Sequence, residues 1–303
     1  MKRIIATLFL CLFSAVSYAA DSAKTPGVWG FAVGSTQGTY FRAILEQANR
    51  DQKKYEFYFD HRPGAGGAIA GKHVLDQRGP AILAHSGAFF ARPYLYPDTQ
   101  YRFDQFRPIL VMGSAPGVLM TRGKTLDQLM KQPRITLGTA GAGSSTHLMA
   151  ETLKKYLKNS EVIMVHFKDT NEAYVNVMGG HIDATFEFFG DAKAKATTDV
   201  TFVGVTGGQR VAGVEPLKAR SMPNMEHVSG IFAVYVPTTM SAETYNEIRS
   251  ILLKAEKAQA VQDLYRKDFT YRDPAHGQVP AMQSWYDTTV KRFQDLTAGI
   301  KLQ

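Results

Sequence analysis

The sequence predicts an α/β protein of two lobes, each built on a doubly wound sheet, with a central cleft between them. Three observations predict this class. Short β-rich runs alternate with amphipathic helical patterns, the alternation begins again near residue 126, and helical stretches follow the last strand. A chain of 303 residues is also long enough to bury two hydrophobic cores.

The first β-α series lies in the N-terminal third. Its predicted elements are strand 28–33, helix 39–50, strand 55–61, helix 67–77 and strand 81–85. Helix 39–50 places Phe41, Ile44, Leu45 and Ala48 on one apolar face. Strands separated by helices in this order predict a parallel sheet.

The second series has the same rhythm. Its predicted elements are helix 126–132, strand 135–139, helix 145–158, strand 162–167, helix 171–180 and strands 182–189 and 200–206. Strand 231–237 and helical stretches 242–261 and 279–300 follow. We therefore expect one lobe from residues 20–121 plus 228–303 and the other from 122–227, with 217–230 as a connection.

The N-terminus has the pattern of a cleavable signal peptide, residues 1–19. Lys2 and Arg3 precede an apolar run from about residue 4 to 16, and small residues lead to Ala19. Cleavage there would place the remainder outside the cytoplasm. Cys11, the only cysteine, lies in this segment, so the expected mature chain has neither a disulfide nor a cysteine-ligated zinc.

Charge and motifs argue against several functions. The formal charge is +8, but the basic residues are dispersed, whereas nucleic-acid binding concentrates them on one element. The eight histidines show no metal-binding spacing, and no nucleophile motif is present. We expect no catalytic residues, no metal and no cofactor, and hence a protein that is not an enzyme.

Three glycine-rich loops each join a strand to a helix: 34–39, 61–67 and 138–146. Such junctions offer unpaired N–H groups and the positive end of the helix dipole, which favour an anion. The alternative is that the glycines only make tight turns. Because the first and third loops occupy corresponding places in the two lobes, we favour anion binding for that pair.

The second loop resembles a nucleotide-binding P-loop but departs from it. From Gly66 the sequence reads G-x-x-x-x-G-K, followed by His73 where a magnesium-binding hydroxyl is required. Lys72 is expected inside the helix, away from any phosphate. For dinucleotides, His166 and Lys168 stand where an acidic residue should end the next strand. The sequence therefore argues against both kinds of nucleotide site.

Two further polar features leave alternatives open. His147 could donate to a bound anion or pack locally, and local packing is favoured. Asp183 and Glu187 are four residues apart, hence on one face of a strand, but a paired-carboxylate site needs partners that the sequence does not show. The preferred hypothesis is that Glu187 lies near the cleft and binds an amine or hydroxyl group of the ligand.

Five motifs in order make the chain similar to the periplasmic solute-binding proteins of tripartite tricarboxylate transporters, the TctC-like or Bug family. They are FAVGSTQGTYFRAI, RPGAGGAIAG, YRFDQFRPI, GTAGAGSSTHLMAE and VHFKDTNEAYVNVMGGHIDATFE. The resemblance implies a type II periplasmic binding protein fold, small carboxylate ligands and a mainly structural Arg-Pro-Gly-Ala-Gly-Gly turn. It departs at Gly38 and Gln37, where the family usually has aspartate and threonine.

Carried over, the resemblance implies that loops 34–39 and 141–145 hold a carboxylate between the lobes. Independently of the resemblance, we expect residues at the ends of the third strand and of strand 182–189 to line the same site and to contact the distal part of the ligand. The expected ligand-binding residues are Gly34, Ser35, Thr36, Gln37, Gly38, Thr39, His85, Ser86, Gly141, Ala142, Gly143, Ser144, Ser145, Thr185, Phe186 and Glu187.

The expected partner is a transporter's membrane permease, with the binding protein acting as a periplasmic monomer. The alternatives are a ligand-sensing partner of a signalling receptor and a secreted α/β enzyme acting on a carboxylate.

Overall fold

The computed structural model describes residues 22–300 other than residue 32 and residues 273–276. The predicted signal peptide lies outside the described residues. The strands are β1 (Ala23–Trp29), β2 (Tyr55–His61), β3 (Ile82–His85), β4 (Phe106–Ala115), β5 (Gly117–Arg122), β6 (Arg134–Thr139), β7 (Glu161–His166), β8 (Ala184–Phe188), β9 (Val200–Val205) and β10 (Gly230–Pro237). The helices are α1 (Thr36–Asp51), α2 (Ala68–Leu75), α3 (Ala88–Leu95), α4 (Leu126–Met130), α5 (Ser145–Lys154), α6 (Thr170–Met178), α7 (Phe189–Lys195), α8 (Ala242–Glu256), α9 (Gln259–Lys267) and α10 (Val279–Thr297).

The strands form two separate five-stranded sheets, ordered β2-β1-β3-β10-β4 and β7-β6-β8-β5-β9. The α/β class and the two sheets agree with the sequence prediction, but the expectation of parallel sheets was wrong in part. β10 is antiparallel to β3 and β4, and β5 is antiparallel to β8 and β9. The antiparallel pairs all involve β4, β5 or β10, the strands next to the two chain crossings, so the crossings reverse strand direction.

The two crossings lie side by side. The chain leaves the first sheet at Ala115 and enters the second at Gly117, and it returns at Gly230, which pairs with Ala115. The expected boundary at residue 121 falls inside β5, which pairs only in the second sheet. The first crossing is therefore at Pro116. Met222, Met225 and Val228, in the expected connection, pack into the second sheet's core.

Apolar spacing explains most elements. Phe41, Ile44, Leu45 and Ala48 of α1 are 0–2 % exposed, which confirms the predicted buried face.

Four elements had no prediction: α3, β4, β5 and α7. Pro93 inside α3 disguises its helical pattern. The predicted helix 242–261 is divided at Ala258, whose ψ of 140° is extended, so α8 and α9 are distinct. Within the described residues, none of the helices is long and apolar enough to cross a membrane.

Candidate anion site between the two sheets

The first predicted loop forms the N-terminus of α1. Ser35 is the N-cap, and its Oγ accepts a hydrogen bond from the Gly38 N–H at 3.4 Å. Thr36, Gln37 and Gly38 are buried, while Gly34 and Thr39 are exposed. A Cβ on Gly38 would lie 3.0 Å from Trp29 Nε1 and 3.2 Å from Ser35 Oγ. A side chain at this position would therefore have to displace Trp29 or Ser35.

The second loop forms the N-terminus of α5 and is bonded to itself. Ser144 caps the helix through a 3.1 Å bond from the His147 N–H. The Gly143 N–H donates to His147 Nδ1 at 2.9 Å, and the Ser144 N–H donates to the Gly141 carbonyl at 3.2 Å. These two N–H groups, expected to bind an anion, are therefore already used. The bond to Gly143 supports local packing as the role of His147.

The remaining donors of this loop are still available. Among the described residues, the N–H groups of Ala142 and Ser145 have no hydrogen-bond acceptor. The Ser145 Oγ is also buried without a partner in the described part of the chain. Gly141 and Gly143 have φ of 92° and 77°, a left-handed conformation that turns the backbone sharply ahead of the helix.

Each loop contacts the opposite half of the molecule. Thr36 Oγ1 donates a 2.6 Å hydrogen bond to Asp191 Oδ2 in α7. This hydroxyl was expected to bind the ligand, but it is already engaged with the protein. A Cβ on Gly87, at the start of α3, would lie 3.5 Å from Ser145 Oγ. A Cβ on Gly143 would lie 3.0 Å from Tyr96 Cε2. Both helix N-termini are therefore at the junction of the two sheets.

His85 and Ser86 lie at the end of β3, beside the start of α3. His85 is completely buried, and burial lowers its pKa to about 4, so the imidazole is neutral at physiological pH. Its Nδ1 is 3.2 Å from the Ser86 carbonyl oxygen, and the backbone of Gly67, which lies against Nε2, forms a second hydrogen bond with the imidazole. Ser86 Oγ accepts a 3.3 Å hydrogen bond from the Ala88 N–H.

The three candidates in β8 are engaged inside the second half of the molecule. Thr185 Oγ1 donates to the Gly138 carbonyl at 3.0 Å, and the Phe186 side chain is buried in the apolar core, so the Phe186 ring is not available to the ligand. Glu187 is 1 % exposed and accepts from Lys195 Nζ at 2.5 Å. Burial raises the Glu187 pKa, and Lys195 opposes that shift. Its carboxylate is therefore already paired.

Asp183 and Glu187 do not form a carboxylate pair. Asp183 accepts from Lys124 Nζ at 2.6 Å and from the Thr136 N–H and hydroxyl at 2.9 and 2.8 Å. Glu187 is directed to Lys195 instead. In the described residues, no group of three His, Cys, Asp or Glu side chains could hold a metal ion.

The loop that resembles a P-loop forms a tight turn with a structural role. Residues 64–67 all have positive φ, from 47° to 122°. Lys72 lies inside α2 and pairs with Asp76 at 2.6 Å, and His73 Nε2 is 3.1 Å from Asp60 Oδ2. Both side chains are therefore engaged with acidic residues of the protein, which supports the argument against a nucleotide site.

Asp191 and Tyr96 contact the candidate loops but were missed by sequence reasoning. Asp191 lies in α7, which begins at Phe189, directly after β8. The sequence predicted that this strand would continue to residue 189, and it did not indicate a helix after it. Tyr96 ends α3, whose proline obscured the helix. Only the tertiary contacts reveal either residue.

Comparisons with known proteins agree with this architecture. Residues 42–294 match the family model described as "Tripartite tricarboxylate transporter family receptor". No curated protein matches the sequence.

Solved structures with the same fold include MatC from Rhodopseudomonas palustris with bound malate, which is 18 % identical with a TM-score of 0.78, covering 92 % of this chain and 100 % of that one. The periplasmic binding protein BugD is 20 % identical with a TM-score of 0.79, covering 94 % and 100 %. R. palustris Rpa4515 with adipate is 19 % identical with a TM-score of 0.79, covering 94 % and 99 %. With the family match spanning most of its length, the chain belongs to the tripartite tricarboxylate transporter receptor family.

Proposed function

We propose that this protein is a periplasmic solute-binding protein that captures a small organic anion through a carboxylate between its two lobes. The liganded form would deliver the anion to the membrane permease of a tripartite transporter. The family match supports transport, and the neighbours with malate and adipate support a carboxylate as the ligand.

The observation that carries the proposal is the pair of capped helix N-termini, α1 and α5, at the junction of the sheets. A helix N-terminus combines unpaired N–H donors with a positive partial charge, and both favour a carboxylate. At the N-terminus of α5, the Ala142 and Ser145 N–H groups and the Ser145 hydroxyl have no partner among the described residues.

Binding would work by stabilising one arrangement of the lobes. A carboxylate that contacts both loops interacts better with the closed form than with an open one, so it shifts the equilibrium toward closure. Contacts such as Thr36 with Asp191 already connect the two halves. Differential affinity for the closed form would therefore supply the free energy for the conformational signal to the permease.

The proposal is tested by isothermal titration calorimetry with malate, succinate and adipate on the wild type, Ser144→Asp and Ser144→Asn. Aspartate and asparagine are both good N-caps, so both variants should keep the 3.1 Å cap at His147 and fold. Only aspartate adds a negative charge beside the carboxylate. We expect Ser144→Asp to lose at least about 100-fold in affinity while Ser144→Asn changes it by less than about fivefold.

Two results would contradict the proposal. The first is the absence of measurable binding of any of these acids to the wild type, with melting temperature unchanged across a wider set of carboxylates. The second is equal affinity of Ser144→Asp and Ser144→Asn, because the added charge would then not face the ligand.

A further inference from the structure

Arg92 is a buried arginine without a partner for its charge. It lies in α3 and is 8 % exposed. Within the described residues, its Nε is fully buried without an acceptor, and its two Nη atoms are not among the fully buried unpaired atoms, so the end of the guanidinium remains accessible. Arg272, by contrast, has its Nε 2.5 Å from Glu256 Oε1.

An unpaired buried guanidinium opposes folding. Arginine keeps its charge in proteins, so burial cannot be relieved by loss of a proton. Removing a charge from water without a counter-charge costs free energy. The Tyr96 ring, with its centroid 4.2 Å from Arg92 Cζ, offsets a part of this cost, but the ring face accepts no hydrogen bond from the N–H groups in the guanidinium plane. The guanidinium is therefore free to pair with an anion that reaches its accessible end.

Arg92 is close to the α5 loop. The ring on which its guanidinium stacks has its edge against Gly143 of that loop, where a Cβ would lie 3.0 Å from Tyr96 Cε2. On its other side, Arg92 Nη1 would lie 3.2 Å from a Cβ on Gly66. The charge is thus held between the structural turn of the first half and the candidate loop of the second.

A buried hydroxyl without a partner lies beside the start of α3. Ser145 Oγ is 3.5 Å from a Cβ position on Gly87 and has no hydrogen-bond partner among the described residues. Buried polar atoms are nearly always paired, so this unpaired hydroxyl, in the loop that Tyr96 contacts, indicates a polar ligand group here.

We infer that Arg92 pairs with a second acidic group of the ligand and selects dianions over monoanions. The inference rests on the proposed function: the first carboxylate lies at the helix N-termini, and the second lies at the Arg92 guanidinium. A guanidinium binds a carboxylate through two parallel N–H···O bonds, which gives direction as well as charge recognition.

The test compares acids that differ only in the second carboxylate: adipate with hexanoate, and succinate with butyrate. Calorimetry is performed on the wild type, Arg92→Gln, Arg92→Lys and Arg107→Gln. Arg107 is the matched control, because its Cζ is also 4.2 Å from a tyrosine centroid, that of Tyr245, but its Nη2 donates to the Met240 carbonyl at 2.7 Å.

In the wild type, we expect at least one diacid to bind about 10- to 100-fold more tightly than its monoacid. Arg92→Gln should reduce that preference to about threefold or less without weakening the monoacid. Arg92→Lys should keep part of the preference because it retains charge without the planar fork. Arg107→Gln should leave all four affinities unchanged.

Unliganded stability gives a second readout. Arg92→Gln removes an uncompensated charge, so the melting temperature of the free protein should stay the same or rise, whereas a structural arginine would lower it. Arg107→Gln loses a backbone hydrogen bond and should lower it.

Equal loss of monoacid and diacid affinity in Arg92→Gln would overturn the inference, as would a wild type that binds hexanoate as tightly as adipate and butyrate as tightly as succinate. Both results leave the proposed function intact. If none of the four acids binds the wild type, the proposed function and this inference fail together.

Discussion

At the scale of single residues, the structure separates polar groups that complete the fold from those that lack partners. Asp183 is of the first kind, since four donors on Lys124, Gln132 and Thr136 surround its carboxylate. Burial alone would raise its pKa, but these hydrogen bonds outweigh burial and hold the pKa of Asp183 below its usual range. The carboxylate is thus ionised in the folded protein and anchors β8 beside β6.

Asp183→Asn should destabilise the protein at pH 7 by about 2–3 kcal/mol, because hydrogen bonds to a charged acceptor are lost. The stabilisation is present above the unfolded-state pKa, about 3.9, and is lost as the pH falls through that value toward the lower folded-state pKa. The difference between variant and wild type should therefore shrink below about pH 4. Urea unfolding at several pH values measures this.

Asp263→Asn is the control, since Asp263 is exposed and pairs only with surface groups. It should change stability by less than about 0.5–1 kcal/mol. An Asp183→Asn variant as stable as the wild type at pH 7, or equally destabilised at pH 3 and pH 7, would contradict the assigned role.

At the scale of elements, apolar spacing predicted the helices and strands that repeat the β-α rhythm. In the structure, Thr125 caps α4 with Gln128 reciprocating, and Ser241 caps α8. The unpredicted elements have local reasons. β4 and β5 form an almost continuous apolar run that lacks alternation because their strands are buried, and Pro93 interrupts the pattern of α3.

The candidate site was predictable in part, because its local sequence patterns are visible without the structure. Strand–glycine–helix junctions are visible in sequence, and both loops proved to be capped helix N-termini at the junction. The internal use of the Gly143 N–H by His147 and the bond from Thr36 to Asp191 depend on tertiary contacts, which no local pattern encodes. Arg92 was missed because the absence of a counter-charge is a property of the fold.

The turn at residues 64–67 gives a prediction at this scale. Gly67 has a φ of 89°, and a Cβ there would lie 2.2 Å from His85 Nε2. Gly67→Ala should therefore destabilise the protein by about 2–4 kcal/mol through left-handed backbone strain and overpacking. Thermal or urea unfolding measures the effect.

Gly79→Ala is the matched change, because no atom lies within 4 Å of a Cβ at Gly79. It should alter stability by less than about 0.5 kcal/mol. If Gly67→Ala is as stable as Gly79→Ala, the turn does not hold His85 in place and its structural role is wrong.

At the scale of the whole molecule, the two halves meet through several small contacts. Phe188 lies edge-on to Phe232 with centroids 5.5 Å apart, and Phe189 lies 5.1 Å from Phe269 in the same manner. Gly190 packs directly against Asp268, where a Cβ would be 2.6 Å from the Asp268 Cα. With only two chain crossings, these contacts determine how closely the lobes approach.

Gly190→Ala should hold the lobes apart without altering either binding loop. Alanine favours the helical conformation of α7, so the lobe itself should fold. We expect affinity for the preferred acid to fall at least about tenfold, because closure around the ligand is then opposed by the steric contact between the added methyl group and Asp268. Small-angle X-ray scattering should show a larger radius of gyration that no longer decreases on addition of ligand.

Gly208→Ala is the control in the same half of the molecule, since a Cβ there meets only Glu226 Oε2, at 3.8 Å. It should bind and compact like the wild type. Wild-type affinity and ligand-induced compaction in Gly190→Ala would contradict closure through this contact.

The most direct test of the central claim is a crystal structure of the wild type with the tightest-binding acid from the calorimetry. We expect one carboxylate at the N-termini of α1 and α5, with its oxygens about 2.7–3.2 Å from the backbone N–H groups of residues 35–37 and of Ala142 or Ser145, or from one bridging water. A carboxylate bound away from both helix N-termini, or touching only one lobe, would contradict the account.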